Sequence, residues 1–375
     1  MYPRTLAKIV AESFKTGFIT VIYGARRVGK TVLLEQVRAL MKNDKVISFN
    51  GDTSEAVNAL STNSEVRLSG LVKDRDVIFV DEAQKIPGIS LALKIIIDKY
   101  PEKKILVTGS SSLDLSRGAH ENLTGRYRPF ILFPLSTGEL SYDMEPFQRQ
   151  ALLEDQLVFG GYPHVYALRD REERKKYLTD VARDYLFKDI LELEQLRQPD
   201  GLKKLAAMIA FQIGQEVSLN ELSSSLGMSV KTVAKYLSLL EKSFVLFKLD
   251  AFSTNPRKEI AKSKKYYFYD LGIRNALAEQ WQPLSSRADV GQLWENFLMI
   301  ERMKAKEYSG RISSSYFWRN YSGAEIDLIE SADGKISAYE FKWSKDGAKT
   351  PNSFKENYGI EAETVNRDNY LPFVS

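Results

Sequence analysis

"FITVIYGARRVGKTVLLEQVRAL", residues 18–40, decides the fold. Residues 18–23 are apolar and largely β-branched, which predicts a buried strand. Leu33, Leu34, Val37 and Leu40 recur at helical spacing and predict a helix with one apolar side. Between the two lies Gly24-x-x-x-x-Gly29-Lys30-Thr31. A strand, a glycine-bounded loop and a helix in that order are what a phosphate-binding loop requires. Gly24 allows a tight turn, and Gly29 lets the backbone approach phosphate without a Cβ. The amides of Ala25, Arg26, Arg27, Val28, Gly29 and Lys30 can cradle a β-phosphate at the positive end of the helix. Lys30 is expected to reach the β/γ oxygens, and the Thr31 hydroxyl to ligate Mg²⁺. ATP with Mg²⁺ is the implied cofactor pair.

Two more apolar runs extend this reading. "DVIFVDEAQKI", residues 76–86, ends in Asp81 and Glu82. In a parallel sheet the carboxyl edge of the strands is the ligand edge. Asp81 is then expected to hold Mg²⁺ through water, and Glu82 to polarise the attacking water. "KKILVTGSSS", residues 103–112, ends in hydroxyl side chains, of which Ser110 is the candidate contact to the γ-phosphate. In "ENLTGRYRPFILFPLS", Arg126 and Arg128 are candidates for a charge-neutralising arginine, in cis or toward a neighbouring subunit of a homo-oligomer.

"YPRTL", "GARRVGKT", "FVDEAQ", "VTGSSS" and "LTGRYRPFILFPLS" resemble the bacterial and archaeal AAA+ ATPases that carry a C-terminal domain of unknown function. The likeness continues through "VFGGYPHVYAL", "YLTDVARDYLFKDILE" and "VNRDNYL", so it spans nearly the whole chain. It implies an α/β protein with a P-loop AAA+ core on a parallel sheet over residues 1–135. A helical region over 136–200 follows, then a winged helix-turn-helix over 201–280 and a small nuclease-like α/β domain over 285–375. No clear second-sensor arginine stands in the helical region. The glycine pair at 160–161 has no account beyond a sharp turn.

The third segment is read from "VSLNELSSSLGMSVKTVAKYLSLLEKSFVLFKL", residues 217–249. Ser218 and Glu221 predict a capped short helix, Gly227 its end, and Ser229 the cap of a second helix with Val233, Leu237 and Leu240 on one stripe. Two strands around a basic loop follow. Residues 201–270 hold eleven Lys and Arg against six Asp and Glu, whereas the rest of the chain is nearly balanced. That surplus points to an anionic partner, DNA, with Lys231, Thr232 and Lys235 facing the groove. Arg257, Lys258, Lys262, Lys264 and Lys265 would lie on phosphates. The alternative is a protein-contact module with solvated lysines.

Near the end, "AEIDLIESADGKISAYEFKWS", residues 324–344, reads as two strands joined at Ala332–Asp333–Gly334. Side chains alternate along a strand, so Glu340 and Lys342 share a face that Asp327 can reach from the partner strand. Two carboxylates and a neighbouring carbonyl make an oxygen site suited to Mg²⁺, with Lys342 orienting or deprotonating water. The pattern is similar to the PD-(D/E)XK nuclease motif. Glu295, on a preceding helix with Leu293, Phe297 and Ile300, matches the helical acid of some members. Here Asp327 follows Glu325 and Ile326 in place of a proline.

Bulk properties bound these readings. The 375 residues are 43% hydrophobic and 27% charged with net charge +4, which suits a soluble protein of several domains. The absence of cysteine excludes disulfide, zinc-thiolate and iron–sulfur chemistry, and two histidines argue against a histidine-based metal site. No apolar run is long enough to span a membrane, and the first fifteen residues read as an amphipathic helix, so a cytoplasmic location is expected. The resulting expectation is an ATPase that binds DNA and cuts it with its tail. The competing expectation is an NTP-driven switch or scaffold with an inactive nuclease-like tail.

Overall fold

The computed structural model describes residues 2–109, 123, 125–185, 199–252, 264–344, 347 and 349–375. The chain divides into two compact units, Met1–Leu135 with Lys242–Phe244, and Ser136–Glu241 with Val245–Ser375.

The first unit is built on five parallel strands: β1 (Ile19–Tyr23), β2 (Val46–Asn50), β3 (Val77–Asp81), β4 (Lys104–Gly109) and β5 (Tyr127–Ile131), in the order β2-β3-β4-β1-β5. β1 and β3 are buried along their whole length, as continuous apolar runs demand when both faces of a parallel sheet are covered. Each fully buried Val or Ile there gains about 1.5–3 kcal/mol over exposure. Helices α1 (Thr5–Glu12), α2 (Lys30–Leu40), α3 (Ser54–Leu60), α4 (Glu65–Val72) and α5 (Ile89–Lys99) complete the unit. α2 turns Leu33, Leu34 and Val37 into the core and leaves Leu40 exposed.

After a short capped turn of helix at Thr137–Leu140, the second unit continues with α6 (Pro146–Phe159), α7 (Arg171–Asp180) and α8 (Pro199–Phe211). β6 (Glu216–Val217), α9 (Leu219–Leu226), α10 (Val230–Lys242), β7 (Leu246–Ala251) and β8 (Lys264–Phe268) follow. Ser218 caps α9 through the Glu221 amide, Gly227 ends it with φ of 62°, and Ser229 caps α10 through the Thr232 amide. These boundaries match those read from the sequence because capping chemistry is local. Then come α11 (Leu271–Ala278), α12 (Val290–Ser309), β9 (Ser314–Arg319), β10 (Glu325–Ala332), β11 (Lys335–Phe341), α13 (Asn352–Tyr358) and β12 (Glu363–Val365).

Among the described residues, the seven strands of this unit form one sheet in the order β12-β11-β10-β9-β7-β8-β6. The join is a short parallel pairing of β7 with β9, Asp250 opposite Tyr316 and Ala251 opposite Phe317. Strands of the basic segment and of the tail therefore share a sheet. The β10–β11 hairpin turns at Asp333 and Gly334, both with positive φ (49° and 76°), as a two-residue Asp-Gly turn requires. One face packs on Phe252, Trp318, Ile326, Ile329, Ala338 and Phe354.

The glycine pair has a structural reason. Gly160 has φ of 70°, and a Cβ there would strike the Asp270 carboxylate. That carboxylate accepts from the Gly161 amide at 2.7 Å and caps α11 through the Ile273 amide at 3.0 Å. Asn275 donates to the carbonyls of Leu157 and Val158, so the end of α6 is hydrogen-bonded to α11. Burial raises the Asp270 carboxyl to about 6, against the pull of these amides.

Candidate functional site

The loop 24–29 leaves β1 at its carboxyl end and enters α2 through Gly29, whose φ of 97° only glycine adopts freely. Gly24 is needed for a reason other than a tight turn: a Cβ would collide with the Leu132 carbonyl oxygen just past β5. Ala25 and Val28 are buried beneath the loop, Arg26 is half-buried, and Arg27 is exposed with φ of 64°. The Lys30 ammonium reaches back over the loop to the carbonyls of Gly24 and Ala25, both at 3.0 Å. That is the reach a phosphate-facing lysine needs.

Thr31 Oγ1 donates to Asp81 Oδ2 at 2.7 Å. The hydroxyl and the carboxylate thus stand side by side at the carboxyl edge of the sheet. Hard oxygen donors at this spacing fit Mg²⁺, which keeps several waters and takes its remaining oxygens from phosphate. Glu82 follows with φ of 49°, an uncommon conformation for a residue with a Cβ. Its amide donates to Thr108 Oγ1 at 3.1 Å, its carboxylate accepts from Gln84 Nε2 at 2.6 Å, and the Thr108 hydroxyl donates to Asp81. Thr108 is fully buried and organises Asp81 and Glu82. Ser110, the residue expected to touch the γ-phosphate, lies outside the described residues.

A residue missed in the sequence is Arg4. It is 5% exposed, and its guanidinium donates to the Val28 carbonyl at 2.7 Å and the Phe133 carbonyl at 2.6 Å. It braces the phosphate loop from below. The only signal in the sequence is a charged residue placed just before an apolar helix.

Arg126 needs correction as a nucleotide ligand of its own chain. β5 runs parallel to β1 with Tyr127 opposite Ile19, so Arg126 lies before the strand, at the amino edge of the sheet. The loop lies after Tyr23, about 16 Å away at roughly 3.3 Å per strand residue. Arg126 pairs there with Asp98, and Arg128 donates to the Ser13 carbonyl.

In the second unit Lys231 and Lys235 are exposed on α10, while Thr232 is half-buried and hydrogen-bonded to the Ser229 hydroxyl. Arg257, Lys258 and Lys262 lie outside the described residues. Lys264 pairs with Asp250 at 3.5 Å. Lys265 is a correction: it is 2% exposed and contacts no solvent phosphate. Its ammonium pairs with Glu295 at 3.3 Å and with Glu325. Burial opposes that ammonium, but Glu295 and Glu325 prevail and hold its pKa above that of an ordinary lysine.

Lys265 thereby joins the tail residues. Glu295 also accepts from the Tyr267 hydroxyl at 2.6 Å. Asp327 Oδ2 accepts from the Phe341 amide at 2.7 Å, and Lys342 pairs with Glu340 at 3.1 Å. Burial pushes Glu295 and Glu340 up to about 7, with Asp327 raising both further. Asp327 is itself raised, again by burial first. The hairpin brings Asp327, Glu340 and Lys342 together as its register demands. Among the described residues, however, no group of three or more Asp, Glu, His or Cys side chains converges as a metal-ligand set. Two carboxylates fit a divalent ion only with waters or phosphate oxygens making up the rest.

Comparison with known proteins places this geometry. Residues 16–141 match a family model described as an AAA domain. Residues 150–284 and 290–370 match two models, each described as a domain of unknown function. An uncharacterized protein of Mycobacterium tuberculosis is 26% identical over 328 residues, covering 86% of this chain and 70% of its own. An uncharacterized protein of Methanocaldococcus jannaschii is 24% identical over 336 residues, covering 84% and 73%. Among solved structures, the Walker-type ATPase of Pyrococcus abyssi is similar at a TM-score of 0.52 and 17% identity, covering 74% of this chain and 96% of that one. The fold and the loop define the class: a mixed α/β chain with an AAA-type P-loop ATPase fold and a second unit carrying its own sheet. No helix among the described residues is long and apolar enough to cross a membrane.

Proposed function

We propose that the chain is an Mg²⁺-dependent ATPase whose second unit binds DNA. The observation that carries the ATPase reading is the Thr31–Asp81 hydrogen bond beside the Lys30 loop. The loop amides would bind the β-phosphate, and the Lys30 ammonium would leave the Gly24 and Ala25 carbonyls for the β/γ oxygens. Thr31 and Asp81 would hold Mg²⁺, which neutralises charge on those phosphates. Glu82, held by Gln84 and by the Thr108–amide bond, would accept the proton of the attacking water. Lys30→Ala is expected to abolish tight ATP binding. Glu82→Gln is expected to bind ATP as the parent does while turnover falls about 10²- to 10⁴-fold. Unchanged phosphate release in Glu82→Gln rejects the base assignment.

The segment over 201–280 is read as a winged helix, supported by the two capped helices and the antiparallel β7–β8 pair. Lys231 and Lys235 on α10 are its proposed groove-facing cations. For the tail over 285–375, a PD-(D/E)XK-like site at Asp327, Glu340 and Lys342 remains the proposed origin of the acids. A specific observation favours the reading without cleavage. Lys265 pairs with Glu295 and Glu325 and also favours the charged form of Asp327, while Lys342 does so for Glu340, so both acids of the candidate metal site already face a cation of the chain. Incubating the protein with labelled duplex, branched and single-stranded DNA, with Mg²⁺ or Mn²⁺, separates the two. Divalent-dependent cuts lost in Asp327→Asn establish cleavage.

A further inference from the structure

The second unit holds a cavity of about 450 Å³ that neither the nucleotide site nor the α10 lysines use. Arg149 and Glu154 of α6 line it, with Trp343 just after β11 and Arg367, Asp368 and Tyr370 near the C-terminus. Arg367 lies over the Trp343 ring, 5.8 Å from its centre. Trp343 is half-buried and held edge-on by buried Trp294 at 5.5 Å, which meets Tyr370 at 5.4 Å. The aromatic wall is therefore fixed by packing. Arg149 Nε is buried with no hydrogen-bond partner, and among the described residues neither guanidinium is in an ion pair.

Two guanidinium groups without ion-pair partners on the lining leave positive charge that an anion in the cavity would neutralise. A fixed indole beside guanidinium groups is the arrangement that stacks a base and neutralises its phosphate. Glu154 and Asp368 make the site a poor trap for a bare anion, because they offset the two arginines. They suit a ring whose edge carries N–H donors. Trp343 also follows Lys342 directly, so a nucleotide stacked there would continue toward Glu340 and Lys342.

We propose that this cavity is a nucleotide subsite for single-stranded nucleic acid, with the base on Trp343 and the phosphate on Arg149 and Arg367. It deepens the nucleic-acid reading above and rests on it for the strand. A nucleoside monophosphate is the chemistry recognised, and a free monophosphate is the other possible source. The test uses the full chain and fluorescein-labelled oligodeoxycytidylate, read by anisotropy, with dCMP as competitor and a duplex in parallel. dCMP lacks the β-phosphate that the loop 24–29 would bind.

Trp343→Ala is expected to weaken single-strand binding about five- to hundredfold. Trp343→Phe should restore most of it, and Arg367→Ala, at an exposed position, should weaken it with the melting temperature unchanged. Duplex binding and ATP turnover should stay at parental values. Tight competition by dCMP alone assigns the cavity to free nucleotide. Single-strand binding that is unaltered in both Trp343→Ala and Arg367→Ala overturns the subsite while leaving duplex binding to the α10 lysines intact. A parent protein that binds the single strand through Trp343 but does not bind duplex would sink the winged-helix reading and keep the cavity.

Discussion

At the scale of single residues, the phosphate loop is held by groups that do not belong to its motif. Arg4 bonds two carbonyls that lie 24 and 129 positions away in the chain. Thr108 orients an acid 27 positions before it. Neither role has a local signature, which is why the motif was legible and its supports were not. Hydrogen bonds to a charged donor contribute about 1.5–3 kcal/mol each. Arg4→Ala should therefore lower the melting temperature and raise the KM for ATP several-fold, with a smaller effect on kcat. Arg4→Lys should recover only part, since one ammonium lacks the fork that spans Val28 and Phe133. A KM equal to the parent's in Arg4→Ala would mean that the guanidinium supports the fold and not the loop.

At the scale of elements, β8 shows what the charge count concealed. Lys264 and Lys265 are adjacent in a strand, so they must point to opposite faces. One pairs with Asp250 at the surface and the other enters the acid cluster. The alternation was available in the sequence, but the cluster that receives Lys265 comes from α12 and β10, beyond the reach of local pattern. Lys265→Met leaves Glu295, 15% exposed, and the half-buried Glu325 without their cation, which should lower stability by about 1–3 kcal/mol. If the lysine does stand in for a divalent ion, Mn²⁺ should raise the melting temperature of Lys265→Met more than that of the parent. Equal shifts, or none, would discard that role. Asp270 gives a pH signature of opposite origin. Its folded pKa of about 6 exceeds the ordinary 3.8, so the folded state favours the neutral acid. Its contribution is most favourable below about pH 4, is lost as pH rises toward 6, and is flat beyond, a difference on the order of 3 kcal/mol. Denaturant midpoints of the parent should fall across that window relative to Asp270→Asn, whose side chain does not titrate. Parallel pH profiles would place the carboxyl's titration elsewhere.

At the scale of the molecule, the ATPase fold and the hairpin were legible because their signals are contiguous: an apolar run, a glycine loop, an Asp-Gly turn. The continuous second sheet was not, because its join is two residue pairs between β7 and β9. The cavity at Trp343 was equally hidden, being assembled from three distant segments. The two compact units make a separation of activities the natural expectation, and salt gives the sharpest reading of the second. Each phosphate contact releases condensed counterions, so log K for duplex falls with log salt by about 0.9 per contact. Lys231 and Lys235 are exposed in the first half of α10, whereas Lys265 is buried against Glu295 and Glu325. Lys231→Gln with Lys235→Gln should therefore flatten the slope by about two units. ATP turnover without DNA should not change, since these lysines and the Lys30 loop lie in different units. A parental slope in that double variant would move the duplex contacts off α10 and leave the helix pair as a surface for protein.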